Sequence, residues 1–138
     1  MRLIVVGVIY NQDGEVLLCK MPPGRGVFPG QWGLPGGGIE AGELAEDALH
    51  RELLEEVGLP VTAIQPLFFS EGVYTKTFPD GDRQEFYMVF LIYACRAANT
   101  HVHLNAEFES YVWVMPEALK DYDLNVETRK TFQRMKIL

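Results

Sequence analysis

Glu52, Glu55 and Glu56 stand within the single stretch "RELLEEVGL". Ala45, Ala48, Leu49, Leu53 and Val57 recur around them at helical spacing, which predicts an amphipathic helix with its apolar stripe against a core. On such a helix, positions i, i+3 and i+4 share one patch of surface, so the three carboxylates are crowded together. Like charges that close repel unless a cation lies between them. Clustered carboxylate oxygens suit a hard ion such as Mg²⁺, which keeps waters and also takes phosphate oxygens.

The flanks of this helix are glycine. Gly36, Gly37 and Gly38 precede it and read as a flexible loop that lets backbone groups approach a ligand closely. Gly58 follows it, where a left-handed helix cap is expected. The full pattern is Gly37-x5-Glu43-x7-Arg51-Glu52-Leu53-x-Glu55-Glu56-x-Gly58-Leu59. It resembles the signature of the Nudix hydrolases, with every fixed position filled and no gap. The stretches "GVFPGQWGLPGGG", "FYMVFLIYAC" and "EFESYVWV" followed by "DYDLNVETRK" carry the likeness over nearly the whole chain. Within the family they are most similar to nucleoside triphosphatases.

The resemblance implies a set of expectations. The fold would be a Nudix-type α/β/α sandwich with a mixed sheet, formed by one domain over residues 1–138. Mg²⁺ would be the cofactor, with Mn²⁺ able to substitute. Its ligands would be Glu52, Glu55, Glu56 and the backbone carbonyl of Gly36. A further acid comes from the loop before the strand that carries a Trp; Glu107 is the best match and Glu109 the second. The base that removes a proton from the attacking water would be Glu52 or Glu107, because the family does not use one position for it. Arg51 completes the catalytic group: Glu43 lies two helical turns away, and an ion pair between them would hold the entry loop against the helix and support the ligands.

Substrate contacts follow the same reasoning. Lys20 and Arg25, in the loop before the box, are the first cations for phosphate, ahead of Lys76 and Arg83, with Gly37 and Gly38 offering backbone groups. Phe28, Trp32, Tyr74, Phe78 and Tyr87 supply aromatic faces for a base. Asn125 opens the terminal helix, where related enzymes place a base-reading Asn, although Asn also suits a helix N-cap. The expected reaction is attack of water on a polyphosphate. The likeness narrows the substrate to nucleoside triphosphates, with dUTP, dTTP and dCTP favoured and the monophosphate and pyrophosphate as products. The alternatives are an oxidised purine triphosphate, a nucleotide sugar, or a binding module without catalysis. The last usually lacks box glutamates, and here all are present.

Composition agrees with a small-molecule enzyme. At 138 residues the chain is long enough for one domain with a proper core. Its apolar content of 48% and charged content of 22% are ordinary for a soluble globular protein. A net charge of −7 disfavours polymeric nucleic acid and anionic membrane, but a metal can still screen a nucleotide's phosphates. Cys19 and Cys95 lie in strand-like runs and read as two buried thiols of a reducing, cytoplasmic protein. The N-terminus has no signal-peptide pattern, and no apolar run could span a bilayer. Monomer and homodimer both stay open. His50, His101 and His103 lack zinc spacing and read as structural or surface residues. No Walker loop, dinucleotide fingerprint or nucleophile elbow is present.

The elements that must position these groups can be outlined from pattern. Leu3 to Tyr10 and Val16 to Cys19 form a hairpin around the Asp-Gly of "NQDGE". Pro22 to Gly30 is a loop. Val61 to Phe69 and the region around Tyr74 are strands, with a turn at Pro79 to Asp82. Phe86 to Cys95 is a strand covered on both faces. Tyr111 to Met115 is another, and Pro116 to Leu119 a short helical turn. Asn125 to Met135 is a terminal helix with Val126, Phe132 and Met135 packed inward.

Overall fold

The structure is a computed structural model that describes all 138 residues. β1 (Arg2–Tyr10) is the axis of the fold. Its β-branched residues alternate between two cores: Val5 and Ile9 enter one, while Ile4, Val6 and Val8 enter the other. A strand buried on both faces can be apolar almost throughout, as this one is. β2 (Val16–Lys20) returns antiparallel after the Asn11–Glu15 turn, where Gly14 adopts a positive φ of 78°.

The sheet has seven strands: β1, β2, β3 (Trp32–Gly33), β4 (Gly36–Gly38), β5 (Val61–Thr77), β6 (Arg83–Ala97) and β7 (Ser110–Val114). Their order is β3-β2-β1-β6-β5, with β4 paired to β1 and β7 to β2. β6 (Arg83–Ala97) runs parallel to β1, and the other pairs are antiparallel, so the sheet is mixed. α1 (Ala45–Val57) packs on one face through Ala48, Leu49, Leu53 and Val57. α2 (Val126–Arg134) packs on the other through Phe132. The architecture is the α/β/α sandwich with a mixed sheet. No helix is long and apolar enough to cross a membrane.

Four details differ from the sequence reading. The glycine stretch before α1 is not a flexible loop: Gly36, Gly37 and Gly38 pair with Val6, Val5 and Ile4 as strand β4. Glycine is needed there because a Cβ on Gly36 would lie 2.0 Å from the Val5 carbonyl oxygen. The two strands expected between Val61 and Tyr74 are one, β5 (Val61–Thr77), with irregular register near Thr62–Gln65 and Pro66–Phe68. β6 is fully covered only along part of its length. α1 has 13 residues, about 20 Å of helix, and leaves Tyr87 exposed near the hairpin tip. Val126 is exposed; α2 instead buries Glu127, Thr128 and Thr131 beside Phe132. Cys19 and Cys95 are both buried and free, as expected of two thiols.

Candidate active site

α1 ends at Gly58, whose φ of 69° forms the left-handed cap and whose N–H bonds back to the Leu54 carbonyl. Along this helix Glu56 is the one carboxylate among the buried residues, at the edge of the apolar stripe. Its Oε1 accepts from the Gly36 backbone N–H at 2.8 Å. Its pKa is raised to about 8, chiefly by burial, with the Gly36 bond opposing and the neighbouring Glu52, Glu107 and Glu55 adding to the rise. Glu52 is also raised, chiefly by burial, with Arg51 opposing and Glu55 and Glu107 adding to the rise. These four acids therefore share one electrostatic field.

Arg51 is the hub beside them. Its Nε and Nη2 donate to the two oxygens of Glu43 at 2.8 and 2.9 Å, a bidentate pair. Its Nη1 reaches Glu52 at 2.8 Å and Glu55 at 3.4 Å, and Nη2 also donates to the Gly38 carbonyl at 3.0 Å. The bond from Arg51 holds Glu43 down to about 2. The expected Glu43–Arg51 pair is thus present, and it ties β4 to α1. Gly37 completes the fit, since a Cβ there would lie 2.3 Å from the Glu52 carboxylate carbon.

A cavity of about 290 Å³ opens beside this cluster. Glu52, Glu56 and Glu107 line it from the α1 side, together with Gly36, Gly37 and Gly38. Asn125, Glu127 and Thr128 line it from α2, across the sheet. Phe28 and Phe90 add aromatic walls, and Phe28 packs edge-on against Tyr74 at 5.2 Å. Glu55, the third predicted acid of this helix, stays exposed beside Arg51 and does not line the cavity. Glu109 pairs with Lys20 at 3.5 Å and lies outside the cavity, so Glu107 is the acid that this loop presents to it.

The carboxylates do not converge as a preformed set of three. Their chemistry nevertheless fits a hard divalent cation. They are oxygen donors only, they repel one another, and the adjacent backbone is free of side chains at Gly36 and Gly37.

Lys20 and Arg25 do not line the cavity; Arg2 and Lys76 do. Arg2 lies with its guanidinium 5.4 Å from the Phe86 ring centre, and its Nη2 would be 3.3 Å from a Cβ on Gly38. Sequence reasoning passed over Arg2 because it sits at the first residue of a strand that reads as pure core. Of the aromatic candidates, Trp32 packs against Tyr122 in the α2-side core, Phe78 meets Lys76, and Tyr87 hydrogen-bonds Glu71 away from the cavity. Glu127 was also missed. The signal for it was the polar face Glu127, Thr128 and Thr131, spaced to lie on one side of α2.

Asn125 holds two positions at once. Its Oδ1 accepts from the Thr128 N–H at 2.8 Å, capping α2. The side chain is nevertheless buried, and it faces the cavity beside Gly33.

Residues 1–135 match the NUDIX domain, and the chain belongs to the Nudix family. It is a hydrolase of phosphoric anhydride bonds. It is 54% identical over 134 residues to nucleoside triphosphatase NudI of Escherichia coli O139:H28 (strain E24377A / ETEC), an alignment covering 96% of this chain and 94% of that one. NudI of Shigella flexneri is similar to the same extent, at 54% identity over 96% and 94% of the two chains. Among solved structures, a MutT from work on the proteins of Aliivibrio salmonicida and Vibrio cholerae superposes with a TM-score of 0.74 at 28% identity, over 96% of this chain and 94% of that one. MutT of Methanosarcina mazei Go1 gives a TM-score of 0.74 at 23% identity, over 98% and 92% of the chains, a likeness of fold.

Proposed function

We propose that residues 1–138 form one catalytic domain, a Mg²⁺-dependent nucleoside triphosphate pyrophosphohydrolase. Its preferred substrates are pyrimidine deoxynucleotides (dUTP, dTTP and dCTP), which it cleaves to the monophosphate and pyrophosphate. The observation that carries the reading is the single cavity joining Glu52, Glu56 and Glu107 to the buried amide of Asn125. One end suits a polyphosphate with its cation and the other suits a base. The 54% identity to nucleoside triphosphatases named NudI supports the substrate class.

Glu52, Glu55, Glu56, Glu107 and the Gly36 carbonyl are the groups that would hold Mg²⁺, with Mn²⁺ as a substitute. The cation supplies charge neutralisation on the phosphates and raises the acidity of water. The chain does the remainder. Arg51 keeps Glu52 and the β4 backbone in place through its bonds to Glu43, Glu52 and the Gly38 carbonyl. Arg2 and Lys76 meet the phosphate charge at the cavity wall. Glu52 and Glu107 both reach the cavity and are the two acceptors for the proton of the attacking water.

Turnover of a nucleotide panel with Mg²⁺ tests the substrate class, with an oxidised purine triphosphate and a nucleotide sugar included. Reaction in ¹⁸O-water locates the attacked phosphorus. Label in the nucleoside monophosphate or in pyrophosphate agrees with cleavage between the α and β phosphates. Label in orthophosphate, with the nucleoside diphosphate as product, refutes it.

A further inference from the structure

Glu127 is a charged residue buried to 6% exposure on the first turn of α2, where a helix favours an anion. It is compensated by the chain itself. Its Oε2 accepts from the Ser70 hydroxyl at 2.8 Å, its Oε1 accepts from the Tyr74 hydroxyl, and Lys130 Nζ forms an ion pair with Oε1 at 2.9 Å. Burial and this bond raise the Tyr74 pKa, so Tyr74 stays a donor. Two hydroxyls from β5 and an ammonium group from α2 fix the carboxylate in one orientation. Each carboxylate oxygen can accept two bonds, so Oε2 keeps one acceptor site, on a side chain that lines the cavity.

Asn125 stands two residues before it. Its Oδ1 is used in the cap, but its Nδ2 donates to no group of the protein, although the side chain is only 8% exposed. That nitrogen is not itself sealed from solvent, since Trp113 Nε1 is the one side-chain polar atom buried without a partner, so it stands as a free donor at the cavity. Gly33 leaves the room for that nitrogen, because a Cβ there would lie 2.4 Å from it.

Resting on the nucleotide reading above, we infer that Glu127 is a specificity-determining residue: its carboxylate accepts a hydrogen bond from an N–H on the pairing edge of a pyrimidine, beside the amide donor of Asn125. The donor–acceptor pair fits both pyrimidine patterns; it selects for a donor on the pairing edge and not for ring size, since purine edges carry the same adjacent groups. Thymine and uracil offer N3–H to Glu127 and a neighbouring carbonyl oxygen to Asn125. Cytosine offers its N4 amino group to Glu127 and its N3 to Asn125. Because Tyr74 and Ser70 bond the carboxylate and Lys130 pairs with it, the carboxylate cannot turn away to avoid a base whose donor is blocked.

The test deletes the donor from the ligand. The wild-type enzyme should turn over N3-methyl-dTTP at least about tenfold less efficiently than dTTP, and N4,N4-dimethyl-dCTP less efficiently than dCTP by a similar factor. Binding of dTMP against N3-methyl-dTMP by calorimetry should show the same preference without any turnover. The Glu127→Gln variant should shrink these ratios to within about threefold, because an amide can present a donor as well as an acceptor. Equal affinity of the wild type for dTMP and its methyl analogue, or no affinity for dTMP, overturns the inference whether or not the variant folds. A binding preference without hydrolysis of any triphosphate would instead leave the base contact standing and remove the triphosphatase reading.

Discussion

Glu56 on α1 and Glu127 on α2 are buried to the same 6%, yet their surroundings are opposite. Glu56 receives one backbone N–H and is faced by other carboxylates, and its pKa rises to about 8. Glu127 receives two hydroxyls and an ammonium group. The first carries its charge at neutral pH only when compensation comes from outside the chain, which is what a cation site supplies. The second is compensated internally and keeps a fixed shape, which is what recognition of an organic ligand requires. Burial of a charge therefore says little about its role until its partners are counted.

The largest expected effect tests the first half of that contrast. Glu55→Gln and Glu56→Gln should each lower turnover about a hundredfold or more, since each removes a formal charge from the cation site while keeping shape. Near-native rates in both would sink the assignment. Stability should move the other way for Glu56. Between its ordinary value of 4.5 and about 8, the folded protein keeps a proton that the unfolded chain has released. Metal-free stability therefore falls as pH rises through that window. Thermal melts without Mg²⁺ should show this slope in the wild type and a flatter one in Glu56→Gln.

A smaller effect separates the two uses of Asn125. Asn125→Ala removes both the cap and the amide donor, so it should cost about 1 kcal/mol of stability and about tenfold to a hundredfold in kcat/KM on the preferred base. Asn125→Ser keeps a capping oxygen and removes only the amide. It should restore most of the melting temperature while leaving base preference weakened. If the ranking of dTTP, dCTP, dUTP and dGTP is unaltered in both, Asn125 is a cap and nothing more.

The smallest effects belong to the cations. Arg2→Met and Lys76→Met should raise KM for a triphosphate about tenfold through the loss of a charge-assisted contact. Lys20→Met and Arg25→Met should change KM by less than about twofold, because neither residue lines the cavity. The reverse ranking, in steady-state kinetics at fixed salt, would restore the assignment that sequence order suggests.

Much of this molecule was legible in the chain itself. The period of Ala48, Leu49, Leu53 and Val57 specified α1, and Gly58 specified its end, because local sterics and a 3.6-residue repeat decide both. The same repeat placed Glu52, Glu55 and Glu56 on one helix and Glu43 within reach of Arg51. Local pattern carries no information about partners brought together across the sheet. Only folding set Gly36 against the Val5 carbonyl, where a paired strand replaces the expected loop. Only folding brought Ser70 and Tyr74 to Glu127 across more than fifty residues of chain. It also turned Val126 out and Thr128 in, because the inner face of α2 meets a polar cavity as well as a core. Lys20 and Arg25 were nearer in sequence to the glutamate box, but Arg2 is nearer in space, since β1 pairs directly with β4. A helix is a local decision of the chain, whereas the company a buried charge keeps is set by long-range contacts.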